Sequence, residues 1–274
     1  MDFEFTDDQE SLRDAVRRWV DKGFTFDRRH ALAKAGGASR AVYAELAELG
    51  LAGLVVPEVH GGLGQGATDA MVVCEELGRG LVNAPYAHAA LMAPALLSAA
   101  PAALQAQWLP GIASGESLVV PALQERAARY HLNHVTTRAT VQGESWTLTG
   151  TKCVVPGGDE ADAFIVPARI SGAERDSTGI GLFLVHAADT QRSGYPTQDG
   201  ARAADVLLAG AAATRWPRPA APAVRCMPNW PNWAWPAWWC PKSMAAWARA
   251  PSTPWWCARN WAAASSMRPT PMLR

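Results

Sequence analysis

This sequence of 274 residues has no surplus of charge, because 25 Lys and Arg balance 25 Asp and Glu. A zero formal charge excludes the basic surface with which a whole chain grips nucleic acid. There is no apolar run long enough to span a bilayer. The N-terminal Met-Asp-Phe-Glu-Phe lacks the basic segment of a secretory signal. The expectation is a cytoplasmic protein with neither nucleic acid nor membrane as partner. Hydrophobic residues at 49% and charged residues at 18% exclude a wholly disordered chain. The length suits one large domain or two ordinary ones.

The balance conceals two compositions. Residues 1–211 carry 17 basic and 25 acidic side chains, whereas 212–274 carry eight basic and no acidic ones. Those last 63 positions also lack Gly, Ile, Phe, Tyr, His and Gln. They hold instead ten of the 13 Trp, 11 of the 20 Pro and three of the five Cys. Prolines at that density exclude long helices and central strands. The Trp at 230, 233, 235, 238 and 239 keep neither a helical nor a strand period. A Trp- and Arg-rich membrane-surface segment is one reading of this composition. A metal site is another, but Cys226, Cys240 and Cys257 lack paired spacing and have no His beside them.

A reading-frame shift accounts for all of it at once. Each residue of 212–274 lies 184 positions after one in 28–90 and, with one exception, can be produced by the +1 frame of that residue's codon. The ten Trp fall opposite Leu32, Leu46, Leu49, Leu51, Leu54, Val55, Leu63, Met71, Val72 and Leu77, whose codons can end in TG before a G. The three Cys fall opposite Val42, Val56 and Val73, and only Ser252, opposite Thr68, cannot be produced this way. The segment therefore reads as an out-of-frame second copy of the DNA for 28–90, disordered or poorly packed as protein.

The remainder reads as helices, then strands. Thr6 and Gln9 form a capping box, and Leu12, Val16, Trp19 and Val20 form one stripe, which predicts a helix over 7–21. Further helices are expected at 40–49, 68–79, 87–99 and 101–109, the last ended by Pro110. From Ser117 the character changes to Val, Thr and Ile in runs at 119–120, 135–141, 145–155, 163–168 and 180–185. Turn signals at 142–144 and 177–179 separate some of them. This order is α+β: an all-α N-terminal domain over 1–115, then a β-rich middle domain over 116–211.

Local chemistry adds little. Gly61-Gly-Leu-Gly-Gln-Gly66 lacks the dinucleotide spacing and reads as a tight loop. His131 and His134 make a weak pair, and none of the six His has metal spacing. Glu75 and Glu76 are adjacent on a helix and so face different ways. Cys74 and Cys153 read as buried or free thiols of a reducing compartment. No nucleophile–base pair is identifiable.

The segments together resemble a known family. Leu46-Ala-Glu-Leu-Gly-Leu-Ala-Gly-Leu-Val-Val-Pro-Glu-Val-His-Gly-Gly-Leu-Gly64, with Glu75-Glu-Leu-Gly-Arg79, is similar to the N-terminal domain of acyl-CoA dehydrogenases. Gln107-Trp-Leu-Pro-Gly-Ile-Ala-Ser-Gly-Glu116 resembles that family's link into its middle domain. Trp146-Thr-Leu-Thr-Gly-Thr-Lys-Cys-Val-Val155, Ala161–Arg169 and Tyr195–Asp205 resemble the antiparallel, barrel-like middle domain itself. The Glu125-Arg126…Arg129-Tyr130 pattern looks like the branch of pimeloyl-CoA dehydrogenase small subunits.

The resemblance implies FAD as cofactor, an acyl-CoA thioester as substrate, a 2-enoyl-CoA as product and an electron-transferring flavoprotein as acceptor. It also implies a homo- or hetero-oligomer. Where the family has an aromatic-x-x-Thr-Glu-Pro segment this chain has Pro121–Arg126, and where it has Trp-Ile-Thr it has Val154-Val155-Pro156. Only Glu125 matches directly; Leu123, Gln124, Val154 and Pro156 are carried over by position as flavin contacts. The family's catalytic carboxylate lies in a C-terminal four-helix bundle whose pattern is absent after Ala211, so no catalytic residue is assigned. The expectation is an inactive chain of this lineage, with a non-catalytic subunit packed on a full-length dehydrogenase as the alternative.

Overall fold

The computed structural model describes residues 4–216, apart from 38, 130 and 144. The expectations for 217–274, for Tyr130 and for Glu144 lie outside the described residues.

Helix α1 (Asp7–Gly23) begins at Thr6, whose hydroxyl accepts the Gln9 N–H while the Gln9 side chain accepts the Thr6 N–H, the expected capping box. Its stripe buries Val16 and Val20 against α4 (Ala67–Arg79). The two helices approach closely at Gly80, where a Cβ would meet Val20 Cγ1 at 2.3 Å. An ion-pair cluster staples the same contact: the buried Glu76 carboxylate accepts from Arg17 at 2.6 Å and Arg79 at 2.8 Å, while Glu75 faces solvent. Between them in sequence come α2 (Phe26–Lys34) and α3 (Ser39–Glu48). The glycine-rich segment is a tight loop, with Gly62 so close that a Cβ would sit 2.1 Å from the Val56 carbonyl.

Two helical expectations need correction. The span 87–99 is not one α-helix: a π-helical turn over Ala87–Met92 leads into the short α5 (Ala93–Leu97). Pro110 does not end its helix, because α6 runs Ala102–Ser114 and stops at Gly115 in left-handed backbone. The lost hydrogen bond is outweighed by burial of Trp108, Leu109 and Ile112 on both sides of the proline.

Seven strands follow: β1 (Val119–Pro121), β2 (Arg138–Gln142), β3 (Ser145–Pro156), β4 (Ala163–Arg169), β5 (Ile180–His186), β6 (Gln191–Pro196) and β7 (Arg202–Arg215). Pairing runs β4–β2–β3–β7–β5 and returns from β5 to β4, so five strands close a barrel, with β1 on β4 and β6 on β7. All pairs are antiparallel except those of β1 and β2 with β4. This is the α+β order expected, and no helical bundle follows the barrel among the described residues. β7 continues four residues past Ala211: Thr147 pairs with Ala212, Leu184 with Thr214 and Phe183 with Arg215. Trp216 is then buried beside Leu97, Leu109, Ile112 and Ile165. The first residues of the 212–274 segment are thus part of the barrel.

Candidate functional site

The segment after β1 passes beside the C-terminal end of β3. Ala122 donates to the Ile165 carbonyl at 2.9 Å, and the Gln124 carbonyl accepts the Cys153 N–H at 2.9 Å. The two stretches singled out in the sequence, 121–126 and 154–156, therefore lie side by side.

Glu125 anchors the first stretch by turning inward. Its carboxylate accepts from Lys152 Nζ at 2.7 Å, from the Thr136 N–H at 2.7 Å, from the Thr137 N–H at 3.1 Å and from the Thr136 hydroxyl. Lys152 is wholly buried. Burial alone would raise the Glu125 carboxyl, but the Lys152 charge and these hydrogen bonds outweigh it and hold the group at about 2. Burial likewise draws the Lys152 ammonium below its ordinary value, against the pull of Glu125. A carboxylate so fully occupied is an anchor for the loop, not a proton acceptor.

The second stretch contains a β-bulge. Lys152 pairs with Val206 and Val155 with Ala204, so Cys153 and Val154 together oppose Asp205. Val154 has φ +52°, left-handed backbone that a β-branched residue rarely adopts. Asp205 Oδ1 accepts the Val154 N–H at 3.2 Å and the Tyr195 hydroxyl at 3.0 Å. Arg126 reaches the same carboxylate at 3.9 Å.

These residues line an open cavity of about 430 Å³, together with Gln124, Arg129 and Cys153. Burial raises the Cys153 thiol, which disfavours its thiolate. Of the four carried-over positions, Gln124 and Val154 line the cavity. Leu123 is half-buried and does not line it, and Pro156 is half-buried in the β3–β7 ladder opposite Ala203. The Val154 N–H is committed to Asp205 and Pro156 has none, so neither offers a backbone donor. The N–H groups of Leu123, Gln124 and Glu125 have no partner among the described residues. Of these, Gln124 and Glu125 line the cavity, and unmet donors there suit a ligand that carries acceptor atoms, as an isoalloxazine ring does. Sequence reading missed Asp205, Tyr195 and Lys152. The Thr-Gly-Thr-Lys run was visible, but the partner of its lysine lies 27 residues away in sequence.

Among the described residues no group of His, Cys, Asp and Glu could hold a metal ion, and no helix is long and apolar enough to cross a membrane.

Residues 6–116 match the family described as Acyl-CoA dehydrogenase, N-terminal domain. (2S)-methylsuccinyl-CoA dehydrogenase of Cereibacter sphaeroides is 31% identical over 155 residues, covering 56% of this chain and 28% of that protein. Acyl-CoA dehydrogenase FadE12 of Mycobacterium tuberculosis is 28% identical over 188 residues, 66% of this chain and 47% of its own. The chain thus spans half or less of the length of these relatives. Among solved structures, the ChsE4–ChsE5 complex from Mycobacterium tuberculosis superposes with a TM-score of 0.67 at 29% identity, over 77% of this chain and 56% of that one. Glutaryl-CoA dehydrogenase from Mycobacterium smegmatis gives 0.66 at 25% identity, over 78% and 56%.

Proposed function

We propose, for a chain that resembles the acyl-CoA dehydrogenase family across its N-terminal helical and middle β domains, that it builds one wall of an FAD-dependent site for oxidising acyl-CoA thioesters to 2-enoyl-CoA. The observation that carries this is the wall itself: Gln124 and Glu125, whose amides are unmet among the described residues, and the Val154 bulge line one cavity. When bound, FAD would supply the two-electron acceptor for the hydride leaving the acyl β-carbon. Gln124 and Glu125 would meet the polar edge of its ring through their amides, with Leu123 next to them in the chain. Val154 would present an apolar surface to it and exclude water from that side.

What these residues do not offer is a base for the α-proton. Glu125 is occupied, Asp205 is held by Val154 and Tyr195, and 212–274 contains no carboxylate side chain. The chain is therefore expected to bind FAD and not to turn over acyl-CoA alone. A spectrophotometric assay with acyl-CoAs of several lengths and an artificial electron acceptor tests it. Substantial turnover would overturn the inactivity, and failure to bind FAD would overturn the site. In an active assembly an electron-transferring flavoprotein would take the electrons.

The same missing base favours a second reading, a non-catalytic subunit that completes a hetero-oligomer. The solved ChsE4–ChsE5 neighbour is itself a complex of two different proteins. Purification from the source would then bring down a full-length dehydrogenase subunit in a stoichiometric complex; its absence refutes this reading.

A further inference from the structure

We propose that Asp205 is the positioning residue of this wall, holding Val154 in the left-handed bulge that shapes the flavin face of the cavity. The inference rests on the flavin reading above and adds to it a residue that neither periodicity nor resemblance singled out.

Three observations converge. The bulge lies where two residues of β3 oppose one of β7, and that one is Asp205. Val154 is β-branched yet has φ +52°, so its own preference is for extended backbone, in which the ladder would run straight and Val154 would leave the cavity wall. Strain of this kind persists only where the surroundings over-determine it. Here the restraint is visible: the Asp205 carboxylate accepts the Val154 N–H at 3.2 Å and is itself fixed by the Tyr195 hydroxyl at 3.0 Å. Arg126 adds a cation 3.9 Å from the other carboxylate oxygen, at the exposed rim. A glycine at 154 would take the conformation unaided. Valine needs a partner, and supplies in return a branched apolar surface that glycine lacks.

The test uses the 274-residue chain and three variants: Asp205→Ala, Asp205→Asn, and Asp205→Ala combined with Val154→Gly. Each is titrated with FAD and followed by quenching of flavin fluorescence, and exchange of the residue-154 amide proton is timed without flavin. Asp205→Ala is expected to speed that exchange and to weaken FAD by about tenfold, the worth of one charge-assisted hydrogen bond. Asn keeps an acceptor oxygen and should restore most of both. Glycine at 154 should recover the part of the affinity lost with the bulge, though not the part the valine surface supplies. It should not recover protection, and general destabilisation would show no such partial rescue. Equal affinity in wild type and Asp205→Ala, or unchanged exchange, overturns the role of Asp205 and leaves the flavin reading standing. A wild-type chain that takes no FAD overturns both. Should Asp205→Ala fail to fold, Asp205→Ser, too short to reach the Val154 N–H, takes its place: faster exchange and weaker FAD support the role, and wild-type values of both overturn it.

Discussion

Glu125 and Lys152 are the residues on which the site's two stretches depend. Both are buried, and each satisfies the other's charge at 2.7 Å. Replacing Lys152 by Met leaves a buried carboxylate with amide and hydroxyl donors but no cation. That should cost about 3–5 kcal/mol of stability, measured by urea unfolding at pH 7. The double variant with Glu125→Gln should lose less than the single one, since it strands no charge. The pH dependence has a definite sign. The folded carboxyl, held at about 2, lies below its ordinary value of 4.5, so the unfolded chain binds the proton more readily. The stabilisation is complete above about pH 5 and is lost as pH falls through about 4 towards about 2. Glu125→Gln should remove this step from a plot of unfolding free energy against pH, while the other carboxylates keep theirs.

Elements were legible in the sequence where local chemistry and tertiary packing agree. α1 has a capping box, a stripe and acidic residues in its first turn, and it forms as read. α2 escaped notice because it buries none of its residues. It is held by Thr25 at its cap and by the Arg28–Glu45 ion pair, which joins residues 17 apart. β6 is exposed almost throughout and β7 is built largely of alanine, so neither shows the branched alternation that marks a strand. The cavity followed the same rule: Gln124 and Val154, carried over by position from the resemblance, line it, whereas Asp205 is defined by a bulge that only strand register shows. α6 gives the sharpest test of propensity against packing. Pro110 is exposed and lies outside the buried core, so Pro110→Ala restores a hydrogen bond to the Ala106 carbonyl without losing buried area. Relief of about 3 kcal/mol, less about 1 kcal/mol for the freer unfolded chain, should raise stability by about 2 kcal/mol in thermal or urea unfolding. No change, or a loss, would mean that the proline shapes α6 in a way its packing does not show.

At the scale of the whole molecule, the barrel and the composition of 212–274 bear on each other. Residues 212–216 close the ring through Leu184–Thr214 and Phe183–Arg215 and bury Trp216, so the barrel needs them whatever their origin. An out-of-frame reading can deliver Ala-Ala-Thr-Arg-Trp as readily as any other short run, and small residues followed by one large apolar side chain suit a strand end. The proposal that 212–274 copies the DNA for 28–90 in the +1 frame therefore makes two separable demands. Long-read genomic sequence should show those codons repeated with a one-base slip; a single copy continuing in frame would refute the duplication. Stability should divide at Trp216. Trp216→Ala should cost about 3–5 kcal/mol, as for other buried large side chains. A chain ended after Ala211 should unfold at much lower urea than one ended after Trp216, because it loses both the closing pairs and the indole. A chain ended after Trp216 should match the full 274 residues, since a segment not selected as protein has no reason to add to the core. If removing 217–274 instead lowers the urea midpoint, that segment contributes packing of its own, and its Trp and Pro content would need a cause other than a shifted frame.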